Sequence, residues 1–322
     1  MSTWPRLGSD PARAARHFAP GSRWLIVLLG LLGALAPLSM DIYLVSMPSL
    51  GEVFATDVSR VQLTLSVYMA GFAVGQIFYG PASDRFGRRI VLMAGLALFI
   101  VAVIGAALAP SVEALIAARF FQALGMSAAP ILGRAIVRDM FERELAARTL
   151  SYIAVVHGVA PILAPIIGSH LHVAVGWQGG FVFVAIYAAL ALWFVTMRLA
   201  ETLKQPDPDA LDPARMARTF SSLLANRQFV GAMLICCFTG AGLFAYIASA
   251  AYVYIGVFGF PESQFGYLFA TVMLGNIAGS ILGGKLVMRL GIMRMMRLGT
   301  SLALVAGLAL AWFAWAGSTH VA

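Results

Sequence analysis

Long stretches without a charged residue are the feature that most limits the fold of this chain. Asp, Glu, Lys and Arg are absent from 24–40, 61–83, 90–112, 149–197, 228–261, 263–284 and 298–322. About 20 apolar residues cross the hydrocarbon core of a bilayer, so most of these stretches hold one membrane helix and 149–197 must hold two. With 61% hydrophobic and 11% charged residues, the composition excludes an ordinary water-soluble enzyme.

Nine membrane-spanning helices are predicted from these stretches and from a further apolar segment that contains Arg119. They cover 24–46, 61–81, 90–110, 113–133, 149–171, 178–198, 229–255, 264–286 and 295–316. The sequence therefore predicts an all-α polytopic membrane protein.

The basic residues mark one side of the membrane. Twenty of the 22 fall in alternate connections. Arg60 lies on the other side and Arg119 lies inside a span. The positive-inside rule then places the N-terminus in the cytoplasm and the end of the ninth helix on the outer side. Because topology explains the net charge of +8, we expect no nucleic-acid partner.

The sequence contains few other features that would indicate a signal peptide, a disulfide, a metal site or a catalytic site. The first helix is longer than a signal-peptide core and is expected to be uncleaved. Cys236 and Cys237 are adjacent, which suits neither a disulfide framework nor a metal site. We see no nucleophile and base arrangement and no nucleotide-binding loop, so we expect no enzyme activity, no metal and no cofactor.

A polar segment divides the chain after the sixth helix. It predicts a cytoplasmic tail at 1–23, a six-helix bundle at 24–198, a cytoplasmic linker at 199–228 and a partial bundle of three helices at 229–322. A shift of 204 residues also aligns five glycine pairs: Gly71 with Gly275, Gly75 with Gly279, Gly80 with Gly284, Gly87 with Gly291, and Gly95 with Gly299. Small residues recur in any packed membrane helix, but the match favours a two-bundle transporter built from repeats.

The loop after the second helix carries the most specific motif, GPASDRFGRR. It matches the pattern G-x-x-x-D-R-x-G-R-R and thereby resembles the major facilitator superfamily. The matching residues are Gly80, Asp84, Arg85, Gly87, Arg88 and Arg89. Glycines permit a tight reversal, and an Asp among Arg residues can exchange ion-pair partners during a conformational change. The alternative is an ordinary positive-inside loop.

Further segments resemble the Bcr/CflA drug-resistance exporters of that superfamily. They are LSMDIYL at 38–44, RFFQALGMSAA at 119–129, IVRDMF at 136–141 and APILAPIIG at 160–168. The resemblance implies a drug/proton antiporter of the bacterial inner membrane. It would export hydrophobic or cationic small molecules by alternating access between two six-helix bundles.

Asp41 and Arg119 are the candidate residues for proton coupling. Both lie well inside predicted spans, where ionisable groups are costly and are functional candidates. Both also lie at a similar depth and could pair, with burial favouring a neutral Asp41 and the guanidinium favouring its carboxylate. The alternative is a structural ion pair between the first and fourth helices.

The fifth helix carries weaker candidates. His157 near its middle could relay protons, although a hydrogen-bonded core histidine is the simpler interpretation. Pro161 and Pro165 predict a kink, and with Gly168 they resemble the superfamily's antiporter motif. Ser169 replaces a glycine of that motif, so we expect looser packing there.

Three further expectations concern the first helix, the cytoplasmic face and the length of the chain. Val45 replaces a proline usual in relatives, so the sequence does not decide whether the helix bends after Asp41.

Arg138 and Asp139 could exchange contacts with Asp84 and Arg88, or form a solvated charge cluster that contributes little to stability. Nine helices are three fewer than the resemblance implies, which predicts a truncated chain or one that a second chain completes. A metabolite exporter, and a non-transporting remnant or interaction subunit, are the alternatives to drug export.

Overall fold

The computed structural model describes residues 23–316 as helices joined by short connections. The bounds of the α-helices are α1 Arg23–Asp41, α2 Met47–Val53, α3 Val58–Phe86, α4 Arg88–Ala107, α5 Val112–Met126, α6 Ala128–Met140, α7 Arg143–Val175, α8 Gln178–Arg198, α9 Pro213–Ala225, α10 Arg227–Ala251, α11 Glu262–Leu290 and α12 Ile292–Trp315. Most of the predicted tail and the last six residues of the chain lie outside the described residues.

Nine segments of the described chain are long and apolar enough to cross a membrane, which confirms the predicted number of spans. Three of them are not single helices. The first joins α1 to α2 through a 3-10 turn at Leu44–Ser46, the fourth joins α5 to α6, and the seventh continues from α10 into a π-helix at Tyr252–Val257. The all-α fold is confirmed for the described residues, with spans that change helix type along their length.

Packing divides the described chain into two units, and some of their boundaries fall inside helices. The first comprises 23–40, Ser59–Ala160 and Gln178–Asp212; the second comprises Asp41–Val58, Pro161–Trp177 and 213–316. The helices α1 and α7 therefore contribute to both units. The division into six and three helices along the chain stays a prediction.

Glycines hold the helices of the first unit close together. A Cβ atom at Gly71 of α3 would overlap the carbonyl oxygen of Phe120 in α5, and one at Gly125 of α5 would lie 2.5 Å from the backbone nitrogen of Phe99 in α4. Glycine lets membrane helices approach backbone to backbone. Around these contacts Leu92, Leu96 and Phe99 are fully buried.

The repeat-related glycines of α11 have different surroundings. A Cβ atom at Gly275 or Gly279 would meet no heavy atom of the described chain within 4 Å. Among the described residues, the glycines related by the repeat therefore differ in their packing.

This contrast gives a prediction for Gly71→Ala, with Gly275→Ala as its repeat-matched control. We expect Gly71→Ala to lower the free energy of unfolding by about 1–3 kcal/mol, because α5 must move to admit the methyl group. We expect Gly275→Ala to be neutral or stabilising by up to about 1 kcal/mol, because alanine is the better helix former. Thermal unfolding of the purified variants in detergent measures both, and equal melting temperatures would contradict the prediction.

Candidate functional site

Asp41 lies at an interruption of the first span. It is the last residue of α1, is 5% exposed, and is followed by a turn, the 3-10 segment and α2, which has Pro48 in its first turn. A helix that ends inside a membrane segment leaves backbone carbonyls without their intrahelical partners, so its end is a polar location. The question left open by Val45 is thus answered, since the helix breaks after Asp41 without a proline at that position.

Arg119 of α5 is fully buried in the first unit. Its Nη1 donates hydrogen bonds to Oε1 of Gln122 at 3.0 Å and to the carbonyl oxygen of Ser39 at 3.4 Å. Its guanidinium carbon lies 4.2 Å from the ring centroid of Tyr68, a cation–π distance. The neutral partners of this buried cation thus come from three spans.

Ser39 connects these partners into one network. Its Oγ accepts a hydrogen bond from Nε2 of Gln122 at 2.9 Å and another from the Tyr68 hydroxyl at 3.1 Å. All three side chains are buried. Ser39 and Gln122 were not predicted as site residues, although Gln122 lies one helical turn after Arg119 and that spacing indicates a contact.

The two candidate residues for proton coupling belong to different units. Arg119 and its network lie in the first unit, and Asp41 lies in the second. Their pairing therefore stays a prediction.

The loop motif forms an ion-pair cluster at Arg88 within the first unit. The Arg88 guanidinium contacts Oδ1 of Asp84 at 2.6 Å and Oδ2 of Asp139 at 3.0 Å, and it donates to Oγ of Ser83 at 2.5 Å. Only 11% of the Arg88 side chain is exposed, whereas 45% of Asp84 and 24% of Asp139 are exposed. One cation thus lies between two carboxylates and contacts both.

A carboxylate from outside the motif binds the start of α4. The Glu201 side chain accepts hydrogen bonds from the backbone N–H groups of Arg88 at 2.9 Å and Arg89 at 3.1 Å. Arg89 in turn donates from Nη2 to the carbonyl oxygen of Thr196 at 2.6 Å. The positive end of the helix dipole favours an anion at this place. Glu201 was not predicted as a site residue, since it lies 113 residues after Arg88 along the chain.

Other motif residues stay outside this cluster. Arg85 and Arg138 are exposed, with Arg85 stacked 5.3 Å from the ring of Phe86, and Gly80 has space around the position of a Cβ atom. Gly87, in contrast, has a positive φ of 102° and faces Glu201. Of the pair proposed to exchange contacts with the loop, Asp139 reaches Arg88, and Arg138 forms no ion pair with a described residue.

We predict that Glu201→Gln lowers the free energy of unfolding by about 1 kcal/mol, the usual cost of losing a helix cap. The amide keeps one acceptor oxygen but loses the charge that strengthens its bonds to Arg88 and Arg89. Thermal unfolding beside Asp209→Asn, which changes an exposed acid of the same connection, measures the effect. A melting temperature that falls no further than that of the control would contradict a capping role.

The antiporter-like segment of α7 packs closely in the second unit. Ala164 is fully buried, and a Cβ atom at Gly168 would overlap the carbonyl oxygen of Ile42. Ser169 is also fully buried, and its Oγ accepts a hydrogen bond from the backbone nitrogen of Gly266 at 3.1 Å. The expectation of looser packing was therefore wrong, because Ser169 forms a hydrogen bond to the neighbouring helix in place of a glycine contact.

The prolines of α7 lie within one continuous helix. Pro161 and Pro165 are both interior to Arg143–Val175, and the boundary between the two units falls at Pro161. The kink that they predict stays a prediction.

His157 lies on the first-unit part of α7. Its Nδ1–H donates to the carbonyl oxygen of Gly33 at 3.2 Å, and the residue as a whole is exposed. The interpretation as a core histidine is therefore wrong about burial, although the hydrogen bond is present. A lone exposed imidazole with a backbone partner gives no separate support for a relay.

A second histidine, missed in the sequence analysis, joins three spans of the second unit. Nδ1 of His172 lies 2.9 Å from Oγ of Ser46, and Nε2 lies 3.2 Å from Oε2 of Glu262. The His172 side chain is only 9% exposed. The first, fifth and eighth spans are thereby connected by one imidazole at the end of α7.

Comparisons with known proteins agree with this architecture. The profile of the Major Facilitator Superfamily matches residues 29–322. YdgK, an uncharacterized MFS-type transporter of Bacillus subtilis strain 168, is 35% identical over 263 residues, which are 81% of this chain and 65% of that protein. The bicyclomycin resistance protein homolog of Haemophilus influenzae is 31% identical, covering 88% of this chain and 71% of that one. The chloramphenicol resistance protein of Pseudomonas aeruginosa is 30% identical, covering 88% and 66%.

The fold is also that of solved transporters. A bacterial homolog of the human lysosomal transporter Spinster superposes with a TM-score of 0.69 at 18% identity, over 88% of this chain and 64% of that one. The chain thus spans about two thirds of the length of the proteins that it resembles. With a family profile that matches nearly all of the described residues and a transporter fold, the chain belongs to the Major Facilitator Superfamily.

Proposed function

We propose that the protein exports drug-like small molecules across the bacterial inner membrane and that a proton gradient drives this export. The observation that carries the proposal is an ionisable residue, Asp41, buried at a break in the first span. In a membrane segment such a residue is retained for function or for an ion pair. Relatives named for resistance to bicyclomycin and chloramphenicol support drug-like substrates.

In the proposed cycle Asp41 takes up a proton from the outer side and releases it toward the cytoplasm. Release is coupled to binding of a hydrophobic or cationic substrate. Arg119 supplies a fixed positive charge within the membrane, and the hydrogen bonds of Gln122 and Ser39 hold its guanidinium in place. A carboxyl group that changes charge in such surroundings can bias two conformations of a transporter.

The Arg88 cluster is the proposed conformational switch. Asp84 and Asp139 share one guanidinium, so a movement of α3 relative to α6 would change which carboxylate is paired. We infer from the distribution of basic residues that this cluster and the N-terminus lie on the cytoplasmic side. The proposed partners are protons, the substrate and the lipid bilayer. A second chain that packs on α11 is a further proposed partner.

Drug accumulation in bacteria that lack their main efflux pumps tests the proposal. Cells expressing the chain receive a cationic fluorescent drug or chloramphenicol, with and without a protonophore. We expect lower accumulation than with an empty vector, and we expect the protonophore to abolish the difference. Accumulation equal to the empty vector, with membrane insertion verified, would overturn the proposal in favour of a non-transporting chain. Export of a metabolite in place of drugs would keep the transport mechanism and change its substrate.

A further inference from the structure

The helix α9 is amphipathic and lies in the connection that the sequence predicted as a linker. Met216, Phe220, Leu223 and Leu224 follow a spacing of four, three and one residues, which places them on one face. Arg215, Arg218 and Ser222 recur at spacings of three and four on the opposite face. The 13-residue helix thus has one apolar side and one basic side.

Most of the apolar side of α9 is exposed on the described chain. None of the residues of α9 is buried, and Phe220, Leu223 and Leu224 are 45%, 38% and 59% exposed. A row of large apolar side chains at helical spacing needs a cover, because leaving it in water is unfavourable.

Continuity with a membrane span indicates what provides this cover. Asn226 alone separates α9 from α10, and the candidate span Arg227–Val257 begins at the first residue of α10. Two backbone steps reach at most about 7 Å. The end of α9 is therefore held at the place where the chain enters the bilayer.

The positive charges of α9 favour lipids with anionic headgroups. Its two charged residues are Arg215 and Arg218, and Arg227 follows at the start of α10. Guanidinium groups pair with phosphate in bidentate geometry. A short helix with a basic face and a face of Phe and Leu is typical of helices that lie in the interface of a membrane.

We propose that α9 lies in the headgroup layer of the membrane, with Phe220, Leu223 and Leu224 toward the acyl chains and its arginines on the phosphates of anionic lipids. The long connection between the sixth and seventh spans is then attached to the bilayer at its second half. This proposal rests on membrane insertion alone and holds whatever the protein transports.

Fluorescence quenching in vesicles tests the orientation of α9. Cys236 and Cys237 are first replaced by serine in the full chain, and Leu224→Cys or Ser222→Cys then provides one labelling site. An environment-sensitive fluorophore is attached, and the protein is reconstituted in phosphatidylcholine mixed with phosphatidylglycerol. We expect spin-labelled lipid to quench the label introduced at position 224 and aqueous iodide to quench the label at position 222.

Two results would overturn the orientation. Equal quenching of the two sites by iodide would show a helix in water. Protection of both sites from both quenchers would show a helix covered by protein, such as a second copy of the chain.

The choice of lipid is tested separately. With Arg215→Gln and Arg218→Gln together, we expect the preference of α9 for vesicles containing phosphatidylglycerol over pure phosphatidylcholine to fall, by about fivefold for each arginine. The variant with lysine at both positions keeps the charge and should retain most of the preference. If lipid quenching in the unsubstituted helix is the same in both kinds of vesicle, anionic lipid binding is contradicted.

Discussion

Asp41→Asn is expected to reduce drug export to the level of an empty vector while leaving the amount of inserted protein unchanged. Asparagine has nearly the shape of aspartate but cannot take up and release a proton, so the step that uses the gradient is lost. Accumulation of a fluorescent drug, followed as a proton gradient is imposed and then collapsed, measures this. We expect the variant to show no response to the gradient.

Glu52→Gln is the matched control for this variant. It makes the same chemical change at an exposed acid of α2, in the same span as Asp41. We expect it to export and to respond to the gradient as the unsubstituted chain does. If Asp41→Asn transports at the unsubstituted rate, independently of pH, the coupling role is wrong. If it instead lowers only the amount of folded protein, and what remains still responds to the gradient, the structural ion pair is the better interpretation.

Gly87→Ala should cause the second large effect, a loss of stability. The φ angle of 102° at Gly87 is unfavourable for a side chain, and the added Cβ atom would lie 2.5 Å from Oε2 of Glu201. Backbone strain of this kind costs on the order of 1–3 kcal/mol. Displacing the carboxylate from the start of α4 adds about 1 kcal/mol. Thermal unfolding followed by tryptophan fluorescence measures the sum.

Gly80→Ala controls for the change of residue type within the same motif. A Cβ atom at Gly80 would meet nothing within 4 Å, and the residue lies inside α3. We therefore expect a neutral or slightly stabilising effect. A double variant with Glu201→Gln separates the causes, because the two losses should be less than additive if the alanine acts by displacing Glu201. Equal melting temperatures for the two glycine variants would refute the special role of Gly87.

The membrane spans could be predicted from sequence because each depends on its own composition. A bilayer demands about 20 apolar residues whatever surrounds them, and charged residues are costly within that length. The breaks within spans were harder to predict. The π-helix at Tyr252–Val257 has no interruption of the apolar pattern to mark it. The charge of Asp41 marks its position in the first span but does not by itself show that a helix ends there.

The site could be predicted where its residues belong to a recognisable motif, and this includes the contact of Asp139 with Arg88. Asp84 and Arg88 are one helical turn apart and belong to one motif, so sequence places them together. Glu201 and Ser39 reach their partners through tertiary packing, from 113 and 83 residues away along the chain. Glu201 lies outside the recognised motifs, and Ser39 lies within the segment 38–44 but has no charge to distinguish it there. Sequence patterns of a single chain cannot supply such contacts, because they depend on which helices pack together.

The close contact around α7 limits how this part of the protein can evolve. A Cβ atom at Gly266 would lie 2.6 Å from the Cα atom of Ile166 and 2.6 Å from the carbonyl oxygen of Pro165, and Gly168 faces the backbone of Ile42. Because backbone meets backbone on both sides of α7, nearly every substitution at these glycines adds atoms where there is no space. Mutations that broaden or shift a substrate range must therefore accumulate on other helix faces, and lineages that diverge in specificity should retain glycine at both positions.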